Sequence, residues 1–367
     1  MEFTTGGRLK VRITPVDVGK RVSVRQLANE AAPGAKFTDT VGVLTSWDDG
    51  VLSITQRSGV SVRIPESALV AGKTVPPAPA RRRGPSATFP ELARAASRAW
   101  QPVESEQLGD WQLRAAVEEV PSEARRRGAE VGRREGFTRR ANSVLPLGDP
   151  GRPLDEALEQ VTAWYAERGL PAYVQVSTGH EGTQELLAAA LEQRGWTREV
   201  SALVRIGALA PIGDPVRPLD DAVSRVALSR TFDTSWLARY QRFGTADSGT
   251  ADSGTADPAV AKVLGSGPST WFASVAGPGD VPAAIGRCVI DGRWAGFMAV
   301  EVDPAARRQG LASAVMTALA RRALDEGASA AWLQVEEDNA GARALYDGMG
   351  FRTHHSYHHY RQHIPTA

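Results

Sequence analysis

"VDPAARRQGLA", residues 302–312, decides the fold. The run leading into it, "WAGFMAVEV" (294–302), is a β-prone segment in which Met298, Val300 and Val302 alternate with Phe297, Ala299 and Glu301. Asp303-Pro304 ends that strand, because proline cannot continue a ladder. A long helix is expected over 309–326. Two arginines and a glycine therefore stand at a strand-to-helix joint. The first N–H groups of a helix have no partner inside it and carry partial positive charge. Gly310 lets an anion approach the main chain, Ala312 and Ser313 keep the first turn uncluttered, and Arg307 and Arg308 add formal charge. A diphosphate needs those features.

Outward from the joint the order continues. "AWLQVEE" (331–337) reads as a strand, 339–348 as a helix, and "GFRTHHSYHHYR" (350–361) as a turn and strand. Asn339 opens the helix and Tyr346, seven residues on, shares its face. An earlier stretch runs in a similar order. It has a helix in "FPELARAASRAW" (89–100) and strands in "DWQLRAA" (110–116) and "FTRRANSVLPL" (137–147). A helix in 153–169, the strand "AYVQVST" (172–178), a helix over 183–193 and a strand within 194–206 follow. "VQV" (174–176) answers "LQV" (333–335), and "RGW" (194–196) answers "MGF" (349–351). These echoes suggest an internal duplication of one α/β unit.

The combination of "VDPAARRQGLA" with "NAGARALYDGMGF" (339–351) resembles the GNAT superfamily of acetyl-CoA-dependent N-acetyltransferases, over about residues 213–362. The whole chain is similar to an actinobacterial, histone-acetyltransferase-like family with an SH3-like N-terminal domain and tandem GNAT units. The resemblance implies an α/β fold of the α+β GNAT kind, with a mixed central sheet flanked by helices. It implies that main-chain amides of Arg307, Arg308, Gln309, Gly310, Leu311 and Ala312 hold the CoA pyrophosphate. It implies that the splayed end of the strand at Val300 and Val302 pairs with the pantetheine arm, that Asn339 contacts that arm, and that Tyr346 protonates the leaving thiolate. A phenol with a pKa of about 10 suits that last role on chemical grounds. The alternative for Tyr346 is a core aromatic with a satisfied hydroxyl.

The earlier unit departs from this pattern. Its joint, "GDPGRPLDEALE" (148–159), places Asp155, Glu156 and Glu159 in the first helical turns, where carboxylates repel a diphosphate. Gln184 and Leu191 stand where Asn339 and Tyr346 would. It reads as a degenerate copy that shapes one wall of the acceptor cleft.

Acetyl transfer to an amine needs a base, because alkyl amines are protonated at neutral pH. Family members that place a glutamate in the strands would use position 334 or the region of 296, and here those are Gln334 and Gly296. Glu301 is the first candidate, since a charge inside "FMAVEV" is costly to bury without a partner. Glu336, on the same strand face as Gln334, is the second. An ion pair for Glu301 and a solvated strand end for Glu336 are the alternatives. "HHSYHHYRQH" (354–363) holds five of the six histidines without an adjacent acidic or cysteine partner, so no metal is expected. Cys288, the only cysteine, has no neighbouring His or Asp at a nucleophile's spacing.

The remaining sequence sets the frame. Residues 1–75 carry short β-branched runs broken by Asp49-Gly50 and Ser58-Gly59, and read as a small all-β barrel of the SH3 type. Residues 76–89 form a Pro/Arg-rich linker, 90–212 the degenerate GNAT-like unit, and 213–367 the catalytic unit. A disordered loop is expected at 244–258, where the "GTADS" repeat stands. Net charge is +1, so neither nucleic acid nor an anionic membrane is favoured as a partner. One cysteine, no leader pattern and no membrane-length apolar run point to the cytoplasm. The expected function is N-acetyl transfer from acetyl-CoA, as cosubstrate, to an unidentified amine acceptor, either a small molecule or a protein lysine or N-terminus. A non-catalytic acyl-CoA-binding or scaffolding protein is the alternative. The SH3-like domain could hold a further protein partner.

Overall fold

A computed structural model describes residues 10–27, 37–76, 84–117, 136–215, 220–240 and 257–362. Most of the expected repeat loop, 244–256, lies outside them, as do residues 77–83 of the linker.

The N-terminal strands are β1 (Arg21–Leu27), β2 (Phe37–Asp48), β3 (Val51–Gln56), β4 (Ser61–Pro65) and β5 (Leu69–Thr74). They form one antiparallel sheet in the order β4-β3-β2-β1-β5 around Val22, Val24, Leu44, Leu52, Ile54 and Ile64. Asp49 and Gly50, both at positive φ (49° and 72°), make the β2–β3 hairpin. The expected closed barrel is not present among the described residues. Closure would need β4 to pair with β5. The outer edge of β5 instead meets residues 10–12, with the Arg12 N–H donating to the Gly72 carbonyl at 2.7 Å.

A second sheet of eight strands carries the α/β region, in the order β11-β12-β13-β14-β15-β10-β16-β9. Its members are β9 (Tyr173–Thr178), β10 (Trp196–Ala208), β11 (Val226–Ser229), β12 (Ser269–Val275), β13 (Ala284–Asp291), β14 (Trp294–Val302), β15 (Ala330–Glu336) and β16 (Arg352–Gln362). Every neighbouring pair is antiparallel except β14–β15. Strand β10, from the earlier half, lies between β15 and β16 of the later half. β6 (Glu104–Leu108), β7 (Trp111–Ala115) and β8 (Leu145–Pro146) form a third, small sheet that adjoins β9 through the Val144↔Val174 bridge. The longer helices are α1 (Phe89–Ala99), α2 (Leu154–Ala166), α3 (Glu185–Gln193), α4 (Pro258–Gly265), α5 (Leu311–Asp325) and α6 (Ala340–Gly348). The expected mixed sheet with flanking helices is therefore present.

The sheet separates two cores. One unites Leu311, Val315 and Leu319 of α5 with Phe297, Leu333, Val335, Tyr346 and Phe351. The other unites Leu92 of α1 and Val260 of α4 with Trp294, Met298, Trp332, Val204 and Tyr357.

Two sequence expectations fail locally. The stretch 137–147 is not one strand, since pairing begins only at Val144, which bridges Val174 of β9, and continues in Leu145–Pro146. Asn142 Nδ2 donates to the carbonyls of Phe137 (2.8 Å) and Thr138 (3.1 Å), and Ser143 Oγ donates to that of Arg139 (2.7 Å). These local bonds take carbonyls a ladder would use. In β14 the simple alternation is broken by a bulge. Register slips between Ile285 and Arg287 of β13, and Ala299 takes φ +50°. Phe297, Val300 and Val302 thus pack with the α5 core while Met298 packs with the opposite one.

Candidate active site

The joint that opened the reading is built by side-chain caps. Asp303 accepts from the Ala305 N–H at 2.8 Å, which starts a turn over Pro304–Ala306, and it pairs with Arg239. The Ala305 N–H, aided by Arg239, holds the Asp303 carboxyl below the usual range. Arg308 (φ +62°) and Gly310 (φ +76°) turn the chain into α5. The Ala314 N–H makes the first helical bond, to the Gly310 carbonyl at 2.9 Å. The amides of Leu311, Ala312 and Ser313 precede that bond and have no partner inside the helix. Arg307, Arg308, Gln309 and Gly310 are exposed, and a Cβ at Gly310 would meet nothing within 4 Å. The main chain there is open to an anion.

Beside the joint, β14 and β15 part. Their parallel ladder runs from Trp294↔Ala330 to Phe297↔Leu333 and stops. The bulge at Ala299 falls just past that point, so Val300 and Val302 continue without β15 beside them. A wedge between two parallel strands can admit an extended arm that hydrogen-bonds to main chain. Asn339 is the N-cap of α6, its Oδ1 accepting from the Ala342 N–H at 3.1 Å. Tyr346 lies in the α5 core, on the same side as the joint, edge-on to Phe351 at 5.9 Å between ring centres. Burial pushes its phenol up to about 12, so it stays protonated at neutral pH.

One of the two base candidates lines a cleft. Glu336 lines a cleft of about 250 Å³ together with Phe137, Thr138, Arg139, Arg140, Val200, Tyr357 and His359. Glu301 sits past the bulge, half-buried, and is not among the lining residues. Gly296 has no room for a side chain, because the Trp332 indole occupies the position its Cβ would take, at 2.4 Å. The buried Gln334 Oε1 has no hydrogen-bond partner among the described residues.

The histidines occupy different surroundings. His358 is buried between Thr178 Oγ1 (2.9 Å) and Ser201 Oγ (2.7 Å), and burial lowers its pKa to about 3. His354 stacks on His180 at 3.9 Å and shares a 2.8 Å Nδ1···Nδ1 contact with His355. His359 alone of these lines the cleft. Among the described residues no group of three or more His, Cys, Asp or Glu is placed to hold a metal ion. Cys288 is buried in β13, and burial pushes its thiol up, away from nucleophilic use. No helix among the described residues is long and apolar enough to cross a membrane.

Sequence reasoning missed Arg139 and Arg140, whereas His359 belongs to the histidine run at 354–363 that the sequence already singles out. The signal was present in "RRANS" (139–143), where Asn and Ser directly after a basic pair favour a turn over a strand.

A family model described as "Probable histone acetyltransferase Rv0428c C-terminal" matches residues 87–360. The chain is 26% identical, over 339 residues, to the probable histone acetyltransferase Rv0428c of Mycobacterium tuberculosis, covering 92% of this chain and 93% of that protein. Among solved structures it is similar to a GCN5-related N-acetyltransferase from Kribbella flavida (16% identity, 77% of this chain and 98% of that one, TM-score 0.48). It is also similar to a tandem GNAT protein from the clavulanic acid biosynthesis pathway (16% identity, 77% and 91%, TM-score 0.47).

Proposed function

The chain belongs to the family of the Rv0428c C-terminal region and is an acetyltransferase, and from that premise we propose that it moves an acetyl group from acetyl-CoA to a primary amine by direct attack. The pyrophosphate lies on the amides of Arg307 through Ala312, with the guanidinium groups of Arg307 and Arg308 adding charge. The pantetheine arm enters the wedge along Val300 and Val302, and Asn339 meets it from the start of α6. A carboxylate takes a proton from the ammonium. The amine nitrogen then bonds to the thioester carbon, and main-chain donors hold the oxyanion of the tetrahedral intermediate. The C–S bond breaks, the Tyr346 hydroxyl gives its proton to the sulfur, and the proton lost by the nitrogen as the amide forms restores the phenol. Glu336 is the base this reading favours, because it lines the cleft, and Glu301 is the alternative.

The observation that carries the proposal is the coincidence of three features. An open helix start at Gly310, the end of the β14–β15 ladder at Phe297↔Leu333, and Tyr346 all adjoin one core. The second reading, a non-catalytic acyl-CoA-binding protein, is favoured by the carboxamide of Gln334 where a carboxylate would serve. The sheet order of the N-terminal strands and the 3-10 turn Glu66–Ala68 between β4 and β5 support an SH3-like domain for a protein partner. We place the protein in the cytoplasm.

Calorimetry with acetyl-CoA tests the proposal, wild type beside Gly310→Glu. Wild-type binding that the variant loses by about ten-fold or more is expected. Absence of wild-type binding overturns it. Release of free CoA on adding amines separates the enzyme from the binding protein.

A further inference from the structure

The cleft beside Glu336 collects buried nitrogens, guanidinium donors and an imidazole with one donor and one acceptor, that lack a partner among the described residues. Arg139 Nη1, Arg140 Nε and both ring nitrogens of His359 are buried without a hydrogen-bond partner among the described residues. All three residues line the cleft. Arg139 uses its other terminal nitrogen on Glu199 at 3.1 Å and rests over Tyr173 at 4.7 Å. Among the described residues Arg140 makes ring contacts, with Trp100 at 5.8 Å and Tyr357 at 5.9 Å. Burial and the neighbouring Arg140, Arg139 and Arg114 keep the His359 imidazole neutral. A buried unpaired donor costs about 1–3 kcal/mol, so several together mark a place where an acceptor belongs.

The loop that presents the arginines is held in a strained form. Thr138, a β-branched residue, takes φ +56°. Asn142 fixes it, accepting from the Ala116 N–H at 2.7 Å while donating to the carbonyls of Phe137 and Thr138. Ser143 Oγ holds the Arg139 carbonyl and accepts from the buried Arg114 at 2.9 Å. The donors are thus preorganised.

Across the cleft stands one carboxylate. Glu336 of β15, Ala202 of β10 and Tyr357 of β16 share a rung, and Val200↔His359 is a neighbouring pair in the same sheet. Two strand spacings, roughly 10 Å, separate the backbones that carry Glu336 and His359. One end of the cleft therefore suits an amine and the other a planar anion, which matches the guanidinium fork. A volume of about 250 Å³ suits a small molecule. A lysine on a basic polypeptide would bring further positive charge against Arg139 and Arg140.

We propose that Arg139, Arg140 and His359 bind the carboxylate of the acceptor, so that the acceptor is a small amine bearing a carboxylate, an amino-acid-like molecule. This rests on the acetyl-transfer reading and names its substrate class.

The test uses the full chain with acetyl-CoA, following free CoA. The acceptors are the common L-amino acids, each beside the amine left when its carboxyl group is removed, and a lysine-containing histone-tail peptide. Turnover of an amino acid with a KM about ten-fold or more below that of its matched amine is expected. Arg140→Gln should narrow that gap by about ten-fold, Arg140→Lys should recover part of it, and Arg139→Gln gives an independent second loss. Equal use of amino acid and amine, preference for the peptide, or a gap indifferent to Arg140 and Arg139 overturns the proposal. So does failure of the loaded protein either to acetylate or, by calorimetry, to bind any of the amino acids. If acetyl-CoA itself does not bind, acetyl transfer falls, and calorimetry with the amino acids alone still decides the carboxylate site.

Discussion

Arg205 of β10 donates from Nη2 to the carbonyl oxygen of Phe351 at 2.7 Å, and so ties the end of α6 to a strand from the other half of the chain. The same side chain donates to the Arg343 carbonyl at 3.1 Å and pairs with Asp347. It supplies positive charge at the C-terminal end of α6, where the helix dipole is negative. Tyr346 sits on that last turn, and its own carbonyl accepts from the Phe351 N–H at 3.0 Å. Arg205→Met should cost about 2 kcal/mol of stability. If Tyr346 is the acid, turnover should fall while acetyl-CoA affinity is kept, because the joint at Gly310 is untouched. Thermal melts, calorimetry and initial rates read the three effects, and an unchanged rate would detach α6 from the chemistry.

Tyr346→Phe tests the acid itself. The ring fills the same core space, so stability at neutral pH should hold. Turnover should fall about 100-fold, the size of a lost general acid. Burial raises the wild-type phenol to about 12 from an ordinary 10. Between those values the folded state holds a proton that the unfolded state has released. Stability therefore falls as pH rises through that window, and the variant should lose less there. An alkaline loss of rate well below pH of about 10 would belong to another group.

The parts of this molecule that local chemistry dictates were legible in the sequence. The joint at Arg307–Gly310, the helix carrying Tyr346 and the strands around them follow from caps, prolines and periodicity over a few residues. What long-range pairing decides was not. Nothing in "REVSALVRI" (198–206) announces that β10 inserts between β15 and β16. The outer edge of β5 is met by residues 10–12, far away in sequence. The bulge at Ala299 hides because an extra residue leaves "FMAVEV" looking like an ordinary alternation. The cleft hid because its arginines stand in a stretch with strand-like composition, turned by Asn142 and Ser143.

Ala299 gives a backbone test of the wedge. It holds φ +50° where glycine would sit without strain. Ala299→Gly should keep the bulge and change stability by less than about 1 kcal/mol. Ala299→Val puts a β-branched residue in a left-handed conformation and should cost roughly 1–3 kcal/mol. If the parting of β14 and β15 admits the pantetheine arm, the valine variant should also bind acetyl-CoA more weakly than the glycine variant at equal folded fraction. Denaturant titration with calorimetry distinguishes the two effects, and equal affinity would mean the bulge only serves packing.

His358 makes an acid-stability prediction with a defined sign. It is held neutral between Thr178 and Ser201, with its pKa lowered by burial to about 3 from an ordinary 6.5. His354 follows the same direction, to about 4. The unfolded chain takes up protons below about pH 6.5 that the folded chain refuses, so stability present at neutral pH is lost as pH falls toward 4 and then 3. Arg198, whose guanidinium donates to the Ser58 carbonyl at 3.0 Å, adds to the repulsion of a charged imidazole. His358→Gln removes the titrating group while keeping a hydrogen-bonding side chain. Its melting temperature should fall less than that of the wild type between neutral pH and about pH 5, even if it starts lower. Parallel pH profiles for the two proteins would assign the acid lability to His354, His355 and His359 instead.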